Sequence, residues 1–446
     1  MNVDSRFFAE RKWAYKGEGN AHVVLASHDG FVVRLLKNRR DGQISRRSQD
    51  AVKYYNIVGP QFIDPSYLPE MRLVTVPKDF FGVVEDVCRK QRPDYRLDTN
   101  IAMNATATVM PDVCFVRERS RISEVKKLGN IAQMKDKTIP TFCVEIKPKC
   151  GYLPNPASSS EINDIRRRIC YFCLLQYTKE KIDRWKNRSQ YCPLDLFSLD
   201  LDRIKKALSA LMYSPQNNFR IFKDGILIYE DDSAYESLDT ILHEWFSNSK
   251  NSCKNLGATT ENFREIIARI LVSDQACGTI DINGKQSVNS NCILNQILCA
   301  QRLGETDIED IYPLFLKLEH EMTKSKTVAE AMQQLECFDS ASWKYLNVVA
   351  LAEIENDVEE TIRKIQQFLV TASFKDCSLM ISVRPNKASI SNAIQGRKSS
   401  LHYDYSVMLI DLDIKDISRI RKYMKLIKEV SKSYMERAEI PYKVCK

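Results

Sequence analysis

Three ionisable residues, Glu145, Lys147 and Lys149, stand at alternate positions near the end of an apolar stretch. The alternation predicts a buried strand within 141–151, and Pro148 stops its ladder because proline has no backbone N–H. Two interpretations are open from spacing alone. The charges form a site for an anion at the end of the strand, or they form a solvated strand end with a local ion pair.

Carboxylates also mark the ends of two later apolar stretches. Asp376 precedes one predicted strand, and Asp411 lies at the end of the next strand along the chain. Carboxylates at the ends of adjacent strands can hold Mg²⁺ beside phosphate groups. Lys415, Arg419 and Tyr423 then follow at intervals of four, which places them on one face if this segment is a helix.

A glycine-containing turn, Gly17-Glu-Gly-Asn20, precedes a hairpin predicted from the β-type runs 22–26 and 31–36. Such a turn can fold over nucleotide phosphates, and Arg34 on the second strand could reach them. Alone the pattern is weak, because most turns of this kind have no chemical role and Arg34 could be a surface residue. Pro111-Asp112 interrupts another apolar stretch, either as a simple turn or as the junction of two lobes.

Composition bounds the kinds of protein that this chain can be. Its 446 residues are enough for two or three domains, 44% are apolar, and the net charge of +8 favours an anionic partner. No run of 18 apolar residues predicts a membrane span, and the first residues lack the apolar segment of a signal peptide. Walker, dinucleotide-binding and protein-kinase catalytic motifs are missing from the sequence.

Cysteines are frequent, and most of them stand inside apolar runs. This pattern favours reduced core cysteines in an intracellular protein, so we expect the cytoplasm or the nucleus. Cys170 and Cys173 form a single CxxC with no second Cys or His pair near them in sequence, which argues against zinc there. Cysteines 277, 292 and 299 with His320 match no standard ligand spacing either.

The capping residues 158–161 predict one helix with apolar residues 162, 165, 169 and 172 on one side and Arg166 among its solvated residues. A turn at 214–220 separates an amphipathic helix from a second hairpin, 219–222 and 226–229. Residues 231–345 are predicted to be helical, with little else to indicate their role.

Six motifs occur together in a fixed order. They are Gly17-Glu-Gly19, Glu145-Ile-Lys-Pro-Lys-Cys-Gly151, Tyr191-Cys-Pro-Leu-Asp-Leu-Phe197, Pro215-Gln-Asn-Asn-Phe-Arg220, Lys375-Asp-Cys-Ser-Leu-Met-Ile381 and Ile410-Asp-Leu-Asp-Ile-Lys415. Together they closely resemble the inositol-pentakisphosphate 2-kinase family, whose members make inositol hexakisphosphate (phytate). The resemblance runs from about residue 13 to 430, and no motif covers 231–345 or 384–402.

The resemblance implies an α/β (α+β) fold with a two-lobed, protein-kinase-like architecture and an enlarged C-terminal lobe. Residues 1–115 would form the ATP-binding lobe, and residues 116–446 would form the lobe that binds the inositol phosphate. The helical segment 231–345 would be an insert in that second lobe. Zinc, which some plant members bind, is not expected, because the ligand spacing is absent.

The resemblance also implies roles for individual residues. Around ATP it places the turn of Gly17, Glu18, Gly19 and Asn20, together with Arg34, Asp112 at the adenine, and Glu145 and Arg220 near the ribose. Asp376 would be the catalytic base, Lys147 would steady the transferring phosphoryl group, and Asp411 with Asp376 would hold Mg²⁺. The substrate phosphates would be bound by Arg96, Lys147, Lys149, Lys179, Asn217, Lys415, Arg419 and Tyr423.

Charge arithmetic supports this reading independently. Each phosphate carries about −1.5 to −2 near neutral pH, so a pentakisphosphate brings roughly −7 to −10. The clustered lysines and arginines supply the five or six cations that such a ligand requires. Phosphoryl transfer then asks the protein mainly for positioning and charge stabilisation.

Two alternatives lead to different functions. One is an inositol phosphate kinase of other specificity, although the PxxxDxKxG signature of the multikinases is not matched. The other is a non-catalytic module that binds polyphosphates or RNA, against which Asp376, Asp411 and Lys147 argue. We expect a monomer that needs only ATP and the inositol phosphate, with no membrane and no nucleic acid.

Overall fold

The protein is described here from a computed structural model. The described residues are 3–19, 21–37, 48–92, 101–102, 106–117, 139–179, 188–231, 233–247, 260–284, 288–326, 328–329, 356–386, 402–436 and 444–445. Two predicted ligand-binding residues, Asn20 and Arg96, lie outside the described residues.

A five-stranded antiparallel sheet is formed early in the chain. Its strands are β1 (Trp13–Glu18), β2 (His22–Ser27), β3 (Phe31–Leu36), β4 (Arg72–Thr75) and β5 (Thr106–Pro111), in the spatial order β1-β2-β3-β5-β4. The predicted hairpin of β2 and β3 is confirmed: Val23 and Leu25 are fully buried and alternate with partly exposed residues. Gly30 closes the hairpin with a φ of 92°, which residues with a side chain rarely adopt.

A six-stranded antiparallel sheet contains the predicted central strand. Its strands are β6 (Phe142–Ile146), β7 (Phe219–Lys223), β8 (Ile226–Tyr229), β9 (Cys277–Asp281), β10 (Ser378–Pro385) and β11 (His402–Ile410), in the order β8-β7-β6-β10-β11-β9. All five residues of β6 are buried, which confirms the buried strand. The hairpin of β7 and β8 is also confirmed. Strand β9 falls in the segment predicted to be helical, so that prediction is wrong there.

Helices surround both sheets. They are α1 (Val3–Ala9), α2 (Ser48–Phe62), α3 (Phe80–Gln91), α4 (Glu161–Arg166), α5 (Tyr171–Lys179), α6 (Pro193–Leu196), α7 (Leu201–Tyr213), α8 (Ser237–Ser247), α9 (Thr260–Leu271), α10 (Ile293–Gln301), α11 (Ile308–Lys324), α12 (Asn356–Phe374) and α13 (Arg419–Met435). The mixed α/β class is therefore confirmed. None of the described helices is both long enough and apolar enough to cross a membrane.

The sheets have different cores. Phe8, Trp13 and Phe80 pack against the first sheet, whereas β6, β10 and β11 lie in a larger core together with α7, α9 and α10. Helix α2 connects the two regions, because the Tyr55 hydroxyl donates a hydrogen bond to the Leu409 carbonyl oxygen at 3.3 Å. Both sheets thus belong to one continuous structure.

The helix predicted after the capping residues 158–161 is two helices, α4 and α5. Ser160 caps α4 by accepting a hydrogen bond from the Asn163 N–H at 3.1 Å. Arg166 was predicted to be solvated, and this is wrong. Its side chain is 3% exposed and donates from Nε to Glu309 at 2.8 Å. A distant acidic partner on α11 thus permits the guanidinium to be buried, and sequence spacing gives no sign of that partner.

Candidate active site

Antiparallel pairing brings four loop segments to one edge of the six-stranded sheet. Ile146 at the end of β6 pairs with both Phe219 at the start of β7 and Leu379 near the start of β10. Ser378 in turn pairs with Ile410 at the end of β11. Residues that follow β6 and β11 therefore lie beside residues that precede β7 and β10. Most of the predicted catalytic and substrate-binding residues belong to these four segments.

The backbone at this edge is unusual. Lys149, Gln216, Asn217 and Asp411 have positive φ angles between 47° and 63°, in the left-handed region that residues with a side chain seldom occupy. Strain of this kind persists where the surrounding structure enforces it, and it is concentrated at functional sites. All four segments converge here, and three of them contain such a residue.

Asp376, the predicted catalytic base, lies between two lysines. Its carboxylate is 2.8 Å from Nζ of Lys415 and 3.4 Å from Nζ of Lys149. The Asp376 side chain is 55% exposed, whereas that of Lys415 is 7% exposed. An exposed acid flanked by cations from two different loops can be approached by a ligand, and the lysines are already placed around it.

The lysines determine the acidity of Asp376. Burial alone would raise its pKa, but the charges of Lys415 and Lys149, with the Lys415 hydrogen bond, lower the pKa below the usual aspartate range. Burial lowers the pKa of Lys149, which Asp376 partly offsets, and the neighbouring Lys147 lowers it further. Burial likewise opposes the charge of Lys415, but Asp376 raises the pKa of that ammonium. Three lysines and one carboxylate therefore form one electrostatic unit.

A second group of charges lies at the same edge around Asp411. Its carboxylate accepts hydrogen bonds from Arg34 Nη2 at 3.1 Å and from the Ser378 hydroxyl at 3.1 Å. The Ser378 hydroxyl also lies 3.2 Å from Glu145, which in turn is 3.4 Å from Arg220. The structure thus brings together Arg34, Glu145, Arg220 and Asp411, whose separate roles around ATP and Mg²⁺ stay predictions.

Sequence reasoning missed two residues of this group. Ser378 bridges Glu145 and Asp411, and no polar pattern in the apolar strand β10 singled it out. Asp413 lies 3.6 Å from Arg34; its place two residues after Asp411 was a signal that could have identified it. Burial raises the pKa of Asp411, Arg34 lowers it, and the nearby charges of Asp413 and Glu145 raise it further.

Within the glycine turn, the two glycines and the Glu18 side chain lie in different surroundings. Cβ atoms built at Gly17 and Gly19 meet no other atom within 4 Å, so neighbouring protein atoms do not require glycine here. The carboxylate of Glu18 is 2% exposed and pairs with Lys37 and Arg92, each at 3.0 Å. The Glu18 carboxylate therefore forms ion pairs within the protein. The nucleotide-binding role of the turn as a whole stays a prediction.

Asp112 is held by a salt bridge of its own. Its carboxylate lies 2.8 Å from Nζ of Lys16 and accepts a hydrogen bond from the Cys114 N–H. Lys16 also lies 3.4 Å from the Gly225 carbonyl oxygen in the β7–β8 turn. This cluster therefore joins the first sheet to the second at the predicted lobe junction.

Lys179 and Asn217 belong to one small cluster. Lys179 Nζ donates to the Gln216 side-chain oxygen at 3.0 Å, and the Asn217 N–H donates to Asp231 at 2.6 Å. The structure thus brings Lys179, at the end of α5, to the segment before β7.

The spacing of Lys415, Arg419 and Tyr423 does not reflect one helix. Residues 411–416 are not helical and α13 begins at Arg419, so Lys415 reaches Asp376 from an irregular segment. The prediction of a single helical face is wrong in this respect. Tyr423 lies on α13 and packs edge-on against Phe368 at 6.1 Å between ring centroids.

Lysines clustered around a carboxylate, beside a second carboxylate group with an arginine, can bind phosphates and stabilise the charge of a phosphoryl group in transfer. Comparison with known proteins agrees with phosphoryl transfer. A model of the family "Inositol-pentakisphosphate 2-kinase" matches residues 15–429. The chain belongs to the inositol-pentakisphosphate 2-kinase family, as its motifs predicted.

Relatives from distant organisms match almost the whole chain. An inositol-pentakisphosphate 2-kinase of Danio rerio is 27% identical over 97% of this chain and 95% of its own length. The Arabidopsis thaliana enzyme of the same name is 26% identical over 95% of this chain and 93% of its own length. One from Oryza sativa subsp. indica is 25% identical over 96% and 95%.

Proposed function

We propose that this chain transfers the γ-phosphoryl group of ATP to the axial 2-hydroxyl of inositol 1,3,4,5,6-pentakisphosphate, giving inositol hexakisphosphate. The observation that carries the proposal is the position of Asp376 between Lys149 and Lys415 at the edge where the carboxylate group of Asp411 also lies. Membership of the family supports the same reaction.

Asp376 acts as the general base. It accepts the proton of the 2-hydroxyl while that oxygen forms a bond to the γ-phosphorus and the bond to the leaving oxygen of ADP breaks. Substrate phosphates compete with Asp376 for Lys149 and Lys415, so binding weakens the ion pairs that keep this carboxylate a poor base. Lys147, beside the same group, offsets the charge on the phosphoryl group in transfer.

The substrate is bound by the cations around this base. Lys147, Lys149 and Lys415 bind phosphates near the reacting hydroxyl, and Arg419 and Tyr423 extend the site along α13. Lys179 and Asn217 form a further part of it, and Arg96 remains a prediction for the same role. Single exposed ion pairs contribute little, so affinity depends on many of them acting on one small ring.

ATP is bound on the side of the first sheet. The backbone of Gly17 and Gly19 covers its phosphates and Arg34 contacts them, while Asp112 lies at the adenine. Glu145 and Arg220, a cross-strand pair on β6 and β7, lie near the ribose. Asn20 remains a prediction for the phosphate turn.

The residues near Asp411 fit a magnesium ion. Carboxylate oxygens are the preferred ligands of Mg²⁺, and Asp411 and Asp413 concentrate negative charge that Arg34 only partly offsets. Asp411 and Asp376 would hold the ion. When bound, Mg²⁺ supplies charge neutralisation for the phosphates of ATP.

The two sheets correspond to the two lobes in this proposal. The first sheet and its helices form the ATP lobe, up to about residue 115, and the rest forms the larger substrate lobe. We propose that the protein acts as a monomer in the cytoplasm or the nucleus, where ATP and the inositol phosphate are its only required partners.

ATP-dependent conversion of the pentakisphosphate to hexakisphosphate, with the phosphorylated position identified, tests the function directly. Asp376→Asn removes the base but keeps the shape, and we expect turnover to fall about 10²–10⁴-fold. Asp86→Asn is the matched control, because Asp86 is an exposed carboxylate that pairs with its own lysine, Lys90. Its activity should equal that of the wild type.

Other outcomes separate the alternatives. Robust activity on a trisphosphate and none on the pentakisphosphate would replace the proposed specificity with that of another inositol phosphate kinase. A wild type that binds polyphosphates without any turnover would instead make the protein a binding module. Full activity in Asp376→Asn would exclude Asp376 as the general base.

A further inference from the structure

One of the six sequence motifs, residues 191–197, has no part in the proposed ATP and substrate sites. It consists of Tyr191, Cys192, the short helix α6 and Phe197. Tyr191 is fully buried and Phe197 is nearly so. Both of these side chains contact the segment 147–151 that follows β6, which we call the lysine loop. The motif therefore lies directly beneath residues that are proposed to bind the substrate.

The backbone of the lysine loop needs hydrogen-bond partners from outside the sheet. Strand β6 ends at Ile146, and a buried carbonyl or N–H group without a partner is costly. Tyr191 donates from its hydroxyl to the Pro148 carbonyl oxygen at 2.7 Å. A buried tyrosine hydroxyl needs a partner as well, so one hydrogen bond satisfies both groups.

A glutamine at the end of α10 supplies partners for the next residues of the loop. Gln301 is fully buried, and its side-chain oxygen accepts a hydrogen bond from the Gly151 N–H at 2.8 Å. Its side-chain nitrogen donates to the carbonyl oxygens of Lys149 at 2.7 Å and Phe374 at 3.0 Å. Phe374 stands two residues before Asp376. Gln301 therefore joins the lysine loop to the segment that carries the proposed base.

Phe197 determines how closely the loop packs. A Cβ atom built at Gly151 would lie 2.3 Å from a ring carbon of Phe197, a separation too short for any real side chain. The φ of Gly151 is not positive, so glycine is required here for close approach and not for an unusual turn. The loop backbone thus rests directly on the aromatic ring.

These contacts enforce an unfavourable backbone conformation at Lys149. Its φ of 63° lies in the left-handed region, which residues with a side chain keep only where their surroundings impose it. In this conformation, Nζ of Lys149 lies 3.4 Å from the Asp376 carboxylate. A loop that relaxed from this conformation would carry the ammonium away from Asp376.

We propose that Tyr191 and Phe197, together with Gln301, are positioning residues that hold Lys149 beside Asp376 before the substrate binds. The role rests on the proposed function, in which Lys149 binds a substrate phosphate. A cation that is already in place need not be ordered during binding, so the residues beneath it raise affinity without touching the substrate. This explains why a motif with no proposed ligand-binding residue accompanies the motif that contains Lys149.

Calorimetry of the full-length protein with inositol 1,3,4,5,6-pentakisphosphate tests the role. Tyr191→Phe keeps the ring and removes only the hydroxyl, and we expect pentakisphosphate affinity to fall about tenfold while ATP affinity is unchanged. Tyr67→Phe is the matched control, because Tyr67 is also buried and its hydroxyl donates to a backbone carbonyl oxygen, that of Ser273 between α9 and β9. Its pentakisphosphate affinity should equal that of the wild type.

A second background separates positioning from a general loss of stability. If Tyr191 acts through Lys149, Tyr191→Phe should weaken pentakisphosphate binding much less in protein that already carries Lys149→Met. A loss of stability alone would lower the affinity by the same factor in both backgrounds. Gln301→Met removes the three hydrogen bonds of that side chain at similar volume, and it should repeat the result of Tyr191→Phe.

Hydrogen exchange tests the packing of the lysine loop without any ligand. Peptides that contain residues 147–151 should exchange faster in Tyr191→Phe than in the wild type, and at the wild-type rate in Tyr67→Phe. Unchanged exchange in Tyr191→Phe would overturn the role. So would an unchanged pentakisphosphate affinity, or an equal loss in the Lys149→Met background. A wild type that binds the pentakisphosphate without turnover would overturn only the proposed function.

Discussion

At the scale of single residues, the distinctive feature is that the neighbours of the proposed base are also proposed ligands of the substrate. Asp376 is bound by Lys149 and Lys415, and each of these lysines suits a phosphate equally well. The lysines whose charges lower the pKa of Asp376 can thus pair with substrate phosphates instead of with Asp376. In the proposed mechanism, Asp376 becomes a stronger base when substrate binds, which couples substrate recognition to catalysis.

This coupling predicts the pH dependence of catalysis. In the free enzyme the pKa of Asp376 is lowered, so the carboxylate stays ionised at every pH above the usual aspartate value of about 3.9. The acid limb of kcat/KM that belongs to Asp376 should therefore lie below that pH. The limb of kcat, which reports the substrate complex, should lie higher.

The variant Lys415→Met separates the two effects. Removing this cation should raise the pKa of Asp376, so its limb in kcat/KM moves to higher pH in profiles measured on both proteins. Lys90→Met, at an exposed lysine of α3 that pairs with Asp86, should leave the limb in place. An unshifted limb in Lys415→Met would show that another group controls the profile.

At the scale of elements, sheet register explains why distant motifs form one site. Strands β6 and β11 end at the edge where β7 and β10 begin, so four loops converge without any local sequence signal. The helices then fix these loops from behind. Arg166 on α4 illustrates this support, because it pairs with Glu309 at 2.8 Å and lies 3.6 Å from Asp307.

Breaking this buried pair should be costly. Arg166→Met leaves the buried Glu309 carboxylate without its cation, although Asp307 keeps Lys375 at 3.2 Å, and we expect the free energy of unfolding to fall by about 3–5 kcal/mol in urea denaturation. Arg363→Met is a matched control on α12, where both partners of the ion pair are about half exposed. Its effect should stay below about 1 kcal/mol. Equal losses in the two variants would contradict this account of Arg166.

The elements also show which sequence predictions succeeded. Alternating apolar patterns and turn residues correctly placed the hairpins β2–β3 and β7–β8 and the central strand β6. Strand β9 was missed because it is a short edge strand whose pairing partner, β11, is far away in sequence. The four-residue spacing after Asp411 was misread as a helix, since spacing alone cannot reveal where a helix begins.

At the scale of the whole molecule, Arg34 connects the two sheets. It projects from β3 of the first sheet and contacts Asp411 and Asp413, which follow β11 of the second. Lys16 makes a similar connection through Asp112 and the Gly225 carbonyl oxygen. Two of the residues proposed to bind ATP, Arg34 and Asp112, thus also help to hold the two regions together.

Loss of Arg34 should weaken nucleotide use specifically. Charge-assisted hydrogen bonds contribute about 1.5–3 kcal/mol, so Arg34→Met should reduce kcat/KM for ATP by roughly 10–100-fold in steady-state assays. Arg72→Met, on β4 of the same sheet and paired with Glu70, should behave as the wild type. An unchanged kcat/KM for ATP in Arg34→Met would exclude this arginine from the nucleotide site.

The sequence by itself determined the family, the secondary structure of its motif-bearing strands and the chemical types of residue at the site. These follow from local patterns, in which a strand period, a turn or a short motif lies within a few adjacent residues. Only the tertiary structure decided that Asp376 pairs with Lys149 and Lys415, that Ser378 bridges Glu145 and Asp411, and that four cysteines, Cys170, Cys173, Cys192 and Cys445, meet. The physical reason is that such contacts depend on strand register and helix packing, which join residues hundreds of positions apart and leave no periodic trace in the chain.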